Sequence, residues 1–260
     1  MSNIKLFCLI SLLTAFIGIN LTKSETKQAD PIQIKREQLI WPTVMIKSPE
    51  PTFGSGTIID KKCDNGKCKY YILTVKHITD DRNIVQKYRP KDFITGANRD
   101  IVIEGKFEVT LYTFNGKVDR KVIAKFEDEI ESDGIDAGII SFELDEDLCN
   151  IAKIADDNIF GSLNNLVDVY MSACPLRQNP VMTMGNISDI EDDTGQIISS
   201  GNAAFGSSGG GLYTKVGEDY YLIGVLTGIG KTEDNRYAFS FLVTSTSVKS
   251  IRDFLTKNGI

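Results

Sequence analysis

Apolar and polar positions along this chain switch every few residues, and turn-forming residues punctuate them. Short runs rich in β-branched and aromatic side chains recur at Thr43–Ile46, Thr57–Ile59, Tyr70–Val75, Phe107–Phe114, Val118–Phe126, Ala137–Phe142, Leu166–Ala173, Met182–Ile187, Gly211–Val216, Tyr220–Leu226 and Tyr237–Val243. Between them stand turn sequences such as Asn115-Gly116, Gly217-Glu218-Asp219 and Glu233-Asp234-Asn235. About eleven short strands with almost no helical periodicity predict a barrel or sandwich. One helix is expected at the end. Val248, Ile251 and Leu255 fall on one face over residues 247–257, with Ser245 or Ser247 as its cap.

The amino terminus follows a different pattern. Lys5 precedes Leu6–Ile19, a 14-residue run that suits the core of an export signal better than a membrane span, which needs about 20 residues. Residues 1–24 are read as a signal peptide and 25–39 as a polar linker, so the protein is expected to be secreted or periplasmic, with no stable membrane span after cleavage. Retention of the segment as an anchor is the alternative. The whole chain has a formal charge of −6 and a pI near 5.0. Losing residues 1–24 removes Lys5 and Lys23 and no acid, which takes the charge to −8. That balance, without any basic run, argues against a nucleic-acid partner.

Cysteine usage agrees with export. Beyond Cys8 there are Cys63, Cys68, Cys149 and Cys174. Cys63 and Cys68 bracket Asp64-Asn65-Gly66-Lys67, and Asn-Gly between two β-rich runs is a strong hairpin signal, so the two cysteines face each other and a disulfide is expected. Half of a zinc site is the weaker alternative, and the pairing of Cys149 with Cys174 stays open. His77 is the sole histidine, which excludes a multi-histidine metal site. No metal and no cofactor is expected.

Three segments carry candidate chemistry. Gly206-Ser207-Ser208-Gly209-Gly210 is a G-x-S-G-G string before a strand, a context that can hold a serine on a sharp turn beside backbone N–H groups. Taken alone it could be an ordinary flexible loop. Tyr70–Ile78 reads as a buried strand running into His77, and Asp133-Gly134-Ile135-Asp136 opens an apolar strand. A lone histidine is more often structural, and an acid at a strand edge is usually just solvated. The order His77, Asp136, Ser208 is the one found in the chymotrypsin arrangement, and it raises the weight of all three.

With Gly54-Ser55-Gly56-Thr57-Ile58-Ile59-Asp60, Thr74–His77, Asp136 followed by Gly138 where alanine is usual, Gly185-Asn186-Ile187-Ser188, Gly206–Gly210 and the closing strand Ala238–Val243, residues 40–257 resemble the trypsin-like serine endopeptidases, closest to the HtrA/DegP protease domain. The resemblance implies an all-β fold of two packed antiparallel six-stranded barrels, residues 40–150 and 151–260, with a C-terminal helix. It implies a cleft holding His77 as general base, Asp136 as its partner and Ser208 as nucleophile, with the N–H groups of Gly206 and Ser208 as oxyanion hole. Asp133 is the runner-up acid. Polypeptide substrates follow from the same likeness, and a catalytically inactive binding protein of the same fold is the alternative.

The departures matter as much. Ser207 stands where trypsins keep an aspartate that pairs with a newly cut amino terminus, so activation by such a cut is not expected. Asn202 stands where they keep the acid that recruits Arg or Lys. With Ala203, Ala204 and Phe205 on one wall and Leu226-Thr227-Gly228 on the other, the primary pocket should take small to medium apolar side chains. No PDZ domain is expected after the final helix.

Overall fold

The computed structural model describes residues 30–50, 52–80, 83–88, 99–130, 135–147, 151–191, 193–231 and 238–260. The signal segment and most of the linker, Asp133 and Cys149 lie outside the described residues. Pro31–Ile260 forms one compact unit.

The first barrel closes in the order β1 (Thr43–Lys47), β2 (Phe53–Asp64), β3 (Lys67–Thr74), β8 (Gly138–Leu144), β7 (Val118–Glu129) and β6 (Phe107–Tyr112), every pairing antiparallel. Val44, Ile46, Ile58, Ile72, Val109 and Ile140 are buried in its interior, the inward half of the alternation visible in the sequence. The β2–β3 turn has Asn65 at φ 49° and Gly66 at φ 82°, the left-handed pair a two-residue hairpin demands. That turn sets Cys63 opposite Cys68, and they form a disulfide.

The second barrel runs β13 (Gly211–Val216), β10 (Asp168–Ala173), β11 (Val181–Glu191), β12 (Gln196–Ser200), β15 (Ala238–Ser247) and β14 (Asp219–Lys231), closed by β13 pairing with β14. A two-residue strand, β9 (Lys153–Ile154), joins the outside of β14 in parallel. The fold is therefore two six-stranded antiparallel barrels. A separate hairpin of β4 (Asn83–Tyr88) and β5 (Arg99–Glu104) was not expected from the apolar pattern, and neither was β12.

The termini correct two expectations. Residues 31–39, read as the end of the linker, lie in a helical turn, α1 (Pro31–Lys35), followed by a wider turn over Arg36–Ile40. Leu39 is fully buried, and Gln38 bonds Asp219 and the Tyr220 N–H on the second barrel. The closing helix, α4, spans only Arg252–Lys257. Ser247 Oγ accepts the Ser250 N–H, so it caps the turn leading in and not the helix itself. The apolar face holds: Val248, Ile251 and Leu255 are buried.

Candidate active site

β3 ends at Thr74, and the chain turns at once into a four-residue helix, α2 (Lys76–Thr79), which carries His77. Asp136 lies just before β8, the strand that pairs with β3 in register Thr74↔Gly138. The pairing brings the two side chains together. His77 Nδ1 lies 2.6 Å from Asp136 Oδ2, and the His77 main-chain N–H donates to Asp136 Oδ1 at 3.1 Å. An ionised carboxylate only accepts, so this contact puts the ring proton on Nδ1 and leaves Nε2 as an acceptor on the far side of the ring. Gly138 has a local reason too. A Cβ there would lie 2.8 Å from Thr79 Oγ1, whose hydroxyl donates to Glu129, so the alanine usual at this position would crowd α2.

Ser208 comes from the second barrel, on the loop before β13. The loop is built on close approach. A side chain at Gly209 would place its Cβ 2.0 Å from the Ser55 carbonyl oxygen, and Gly209 takes φ +88°, so only glycine fits. Of the loop's N–H groups, Ser207 donates to Ala204 O, Gly209 to Leu226 O and Gly210 to Ser207 O. Those of Gly206 and Ser208 have no hydrogen-bond partner among the described residues. The two preceding carbonyls are tied back: Phe205 O accepts the Leu176 N–H at 2.7 Å and Ser207 O accepts the Gly210 N–H at 2.9 Å. In a planar trans peptide the C=O and N–H point in opposite directions, so these bonds turn the Gly206 and Ser208 N–H groups away from the body of the loop.

Two residues missing from the sequence expectations hold this loop. Ser55, fully buried on β2, donates its main-chain N–H to Ser208 O at 2.7 Å and its hydroxyl to Gly206 O at 2.6 Å. The same hydroxyl accepts the Cys174 N–H at 2.8 Å. Leu176 is the other, on the turn Pro175–Arg177, where both Leu176 (φ 52°) and Arg177 (φ 62°) adopt the left-handed conformation. The Gly54-Ser55-Gly56 string was the only available signal for the first; main-chain donation by Leu176 leaves no signal in residue type. Cys174 is a free, buried thiol whose pKa burial pushes up to about 12, and Cys149 lies outside the described residues.

Two cavities flank Ser208. The smaller, about 250 Å³, is lined by Ala203, Ala204, Phe205, Leu226, Thr227, Gly228 and Ile229 together with His77, Ser207 and Ser208. Asn202, expected in this pocket, does not line it. It is exposed, and its carbonyl accepts the Thr183 hydroxyl. The larger, about 590 Å³, lies among Thr52, Phe53, Ile78, Leu176, Arg177 and Gly206 and again includes His77, Phe205 and Ser208. Among the described residues no hydrogen bond joins the His77 ring to the Ser208 hydroxyl. No group of three or more His, Cys, Asp or Glu able to hold a metal occurs among the described residues.

Two antiparallel barrels with a C-terminal helix are the architecture of the HtrA-type, chymotrypsin-fold proteases. Among solved structures, the chain is similar to "HtrA-type protease AlgW with tripeptide", with a TM-score of 0.59 at 15% identity, over 87% of this chain and 62% of that one. It is similar to a serine endoprotease from Yersinia pestis, with a TM-score of 0.55 at 18% identity over 88% and 66% of the two chains. Deg5 gives a TM-score of 0.57 at 16% identity, over 85% of this chain and 90% of its own. This chain thus spans less than two thirds of the AlgW and Yersinia chains. No family model matches the sequence, and no curated protein matches it.

Proposed function

We propose that the protein is a serine endopeptidase of the exported kind, with Ser208 as nucleophile. The observation that carries this reading is the orientation of His77 by both oxygens of Asp136 while His77 and Ser208 line the same two cavities. His77 Nε2 takes the Ser208 proton as Oγ attacks a peptide carbonyl, and the negative charge that develops on the carbonyl oxygen falls to the N–H groups of Gly206 and Ser208. His77 then returns the proton to the leaving amine, and water hydrolyses the acyl intermediate by the same route. Asp136 keeps the imidazole in the reactive tautomer and stabilises it when charged. The open Ser208–His77 contact favours a second reading, an inactive binding protein of this fold, although catalytic hydrogen bonds often tighten only with substrate bound.

In specificity, the smaller cavity receives the residue before the scissile bond. Its walls hold no ionisable side chain except His77, so a buried charge would find no partner there, and small to medium apolar residues are preferred. Each methylene is worth only about 1–3 kcal/mol, so the preference is graded.

A serine-directed fluorophosphonate should label Ser208 and a peptide library should be cut mainly after Val, Ala or Leu. Ser208→Ala should lose both labelling and hydrolysis, leaving at most the roughly 10³–10⁴-fold that binding and the oxyanion hole provide over water. A folded wild-type chain that neither labels nor cuts would establish the binding-protein reading, and cleavage mainly after Arg, Lys or Glu would overturn the pocket assignment.

A further inference from the structure

The two cavities beside Ser208 differ in charge. The smaller is apolar apart from hydroxyls and His77. The larger carries one permanent cation, Arg177, and no carboxylate. If the residue before the scissile bond occupies the smaller cavity, the chain crosses Ser208 and its next residues enter the larger one. We infer that Arg177 is a specificity-determining residue which selects an acidic side chain, Asp or Glu, at the first or second position after the scissile bond. The inference rests on the proposed endopeptidase reading and adds to it the substrate's leaving side.

Three observations support it. First, Arg177 is held over the cavity. Its guanidinium sits 3.6 Å from the centroid of the Phe53 ring, and Phe53 itself lines the cavity. Stacking engages the face of the guanidinium and leaves its N–H edge free to fork onto a carboxylate. Second, that edge is unspent: among the described residues no carboxylate lies within ion-pair distance of Arg177, in a chain where acids outnumber bases 35 to 29. Third, the side chain is presented from a costly backbone. Leu176 and Arg177 are both left-handed, a conformation that costs roughly 1–2 kcal/mol for a residue with a Cβ. The same turn that ties back Phe205 O through the Leu176 N–H therefore sets Arg177 in the lining of the cavity that Gly206 shares.

The apolar rim suits such a substrate. Phe205 and Leu176 are both largely exposed and belong to the lining, so they can cover the aliphatic stem of an Asp or Glu while Arg177 meets its head.

The test uses the full chain and peptides with Val before the scissile bond, acetylated and amidated so that the only carboxylate is the side chain varied. Glu or Asp at the first or second following position should raise kcat/KM about fivefold over Ala, the size of a partly exposed ion pair, and Lys should lower it by a similar factor. The preference should shrink as salt is raised. Arg177→Ala should level the series and Arg177→Glu should invert it in favour of Lys, each read as the ratio to the same variant's own rate on the Ala peptide. A series that is flat in the wild type, or a preference for acid that survives Arg177→Glu, overturns the inference while leaving the endopeptidase reading intact. Absence of hydrolysis of every peptide by the folded wild type would instead overturn that reading and this inference with it.

Discussion

A single imidazole does the work of proton transfer in the proposed mechanism, and no second histidine exists to replace it. His77 Nε2 accepts the Ser208 proton, and Asp136 bonds the opposite nitrogen. His77→Gln should therefore lose hydrolysis while keeping the fold, and a folded His77→Gln chain that cuts at the wild-type rate would contradict the role given to His77. At this scale the sequence was most readable. His77, Asp136 and Ser208 sit in strings whose glycines have local reasons: Gly209 meets the Ser55 carbonyl at φ +88°, and Gly138 meets the Thr79 side chain. Asn202 was misplaced because counting residues back from Ser208 assumes a loop path. Here Gly201, at φ +148°, turns the chain so that Ala203 and not Asn202 faces the pocket.

Among the elements, α4 buries Phe254 and Leu255 against the body and is also tied to β7 by polar contacts at its end. Asp128 of β7 accepts Lys257 Nζ at 2.8 Å, Asn258 Nδ2 at 3.2 Å and is also bonded by the Glu129 N–H. Partial burial works against the charged form of Asp128, yet the hydrogen bonds from Lys257, Asn258 and Glu129 outweigh it and hold the carboxyl below its ordinary range. A depressed folded-state value means stability that is present above the unfolded value, about pH 4, and is lost as the pH falls through the folded one. Lys257 is 72% exposed, so solvent screening limits the gain. Asp128→Asn should cost about 0.5–1 kcal/mol at pH 7, read from urea midpoints, and the difference from wild type should be smaller at about pH 3 than at pH 7. A deficit of equal size at both pH values would mean that shape, and not charge, fixes the helix. The elements that escaped the sequence reading have a common cause. β12 offers two adjacent isoleucines flanked by polar residues, and its serine at 199 is buried by partners distant in the chain. The helical segment over Pro31–Ile40 buries Leu39 alone, too little for a periodic signal.

Across the whole molecule, the two barrels were legible as a count of alternating strands, whereas the ties between them were not, because a hydrogen bond from one barrel to the other leaves no trace in local pattern. Thr43 of β1 meets Ser172 of β10, hydroxyl to hydroxyl, at 2.7 Å. Ser55 does more, since its N–H and hydroxyl hold the carbonyls of Ser208 and Gly206, and its own carbonyl accepts the Thr74 hydroxyl at the end of the strand that leads to His77. One buried residue thus references the loop carrying Ser208, the proposed nucleophile, to the strand that precedes His77, the proposed base. Removing its hydroxyl frees the Gly206 carbonyl and leaves a buried acceptor and the Cys174 N–H unpaired, at a cost of about 1–3 kcal/mol in stability. The loop then loses its tether at the 206–207 peptide, which links the two donors, the Gly206 and Ser208 N–H groups. Losing an oxyanion donor outright costs about 10²–10³ in kcat, so a displaced one in Ser55→Ala should cost roughly tenfold, with KM little changed. A peptide boronate, which forms a tetrahedral adduct on the serine, should weaken in parallel with kcat/KM, while a non-hydrolysable peptide should bind as it does to wild type. If Ser55→Ala lost only stability and kept both kcat and boronate affinity, Ser55 would be a structural bond between barrels and not a positioning residue for the oxyanion hole.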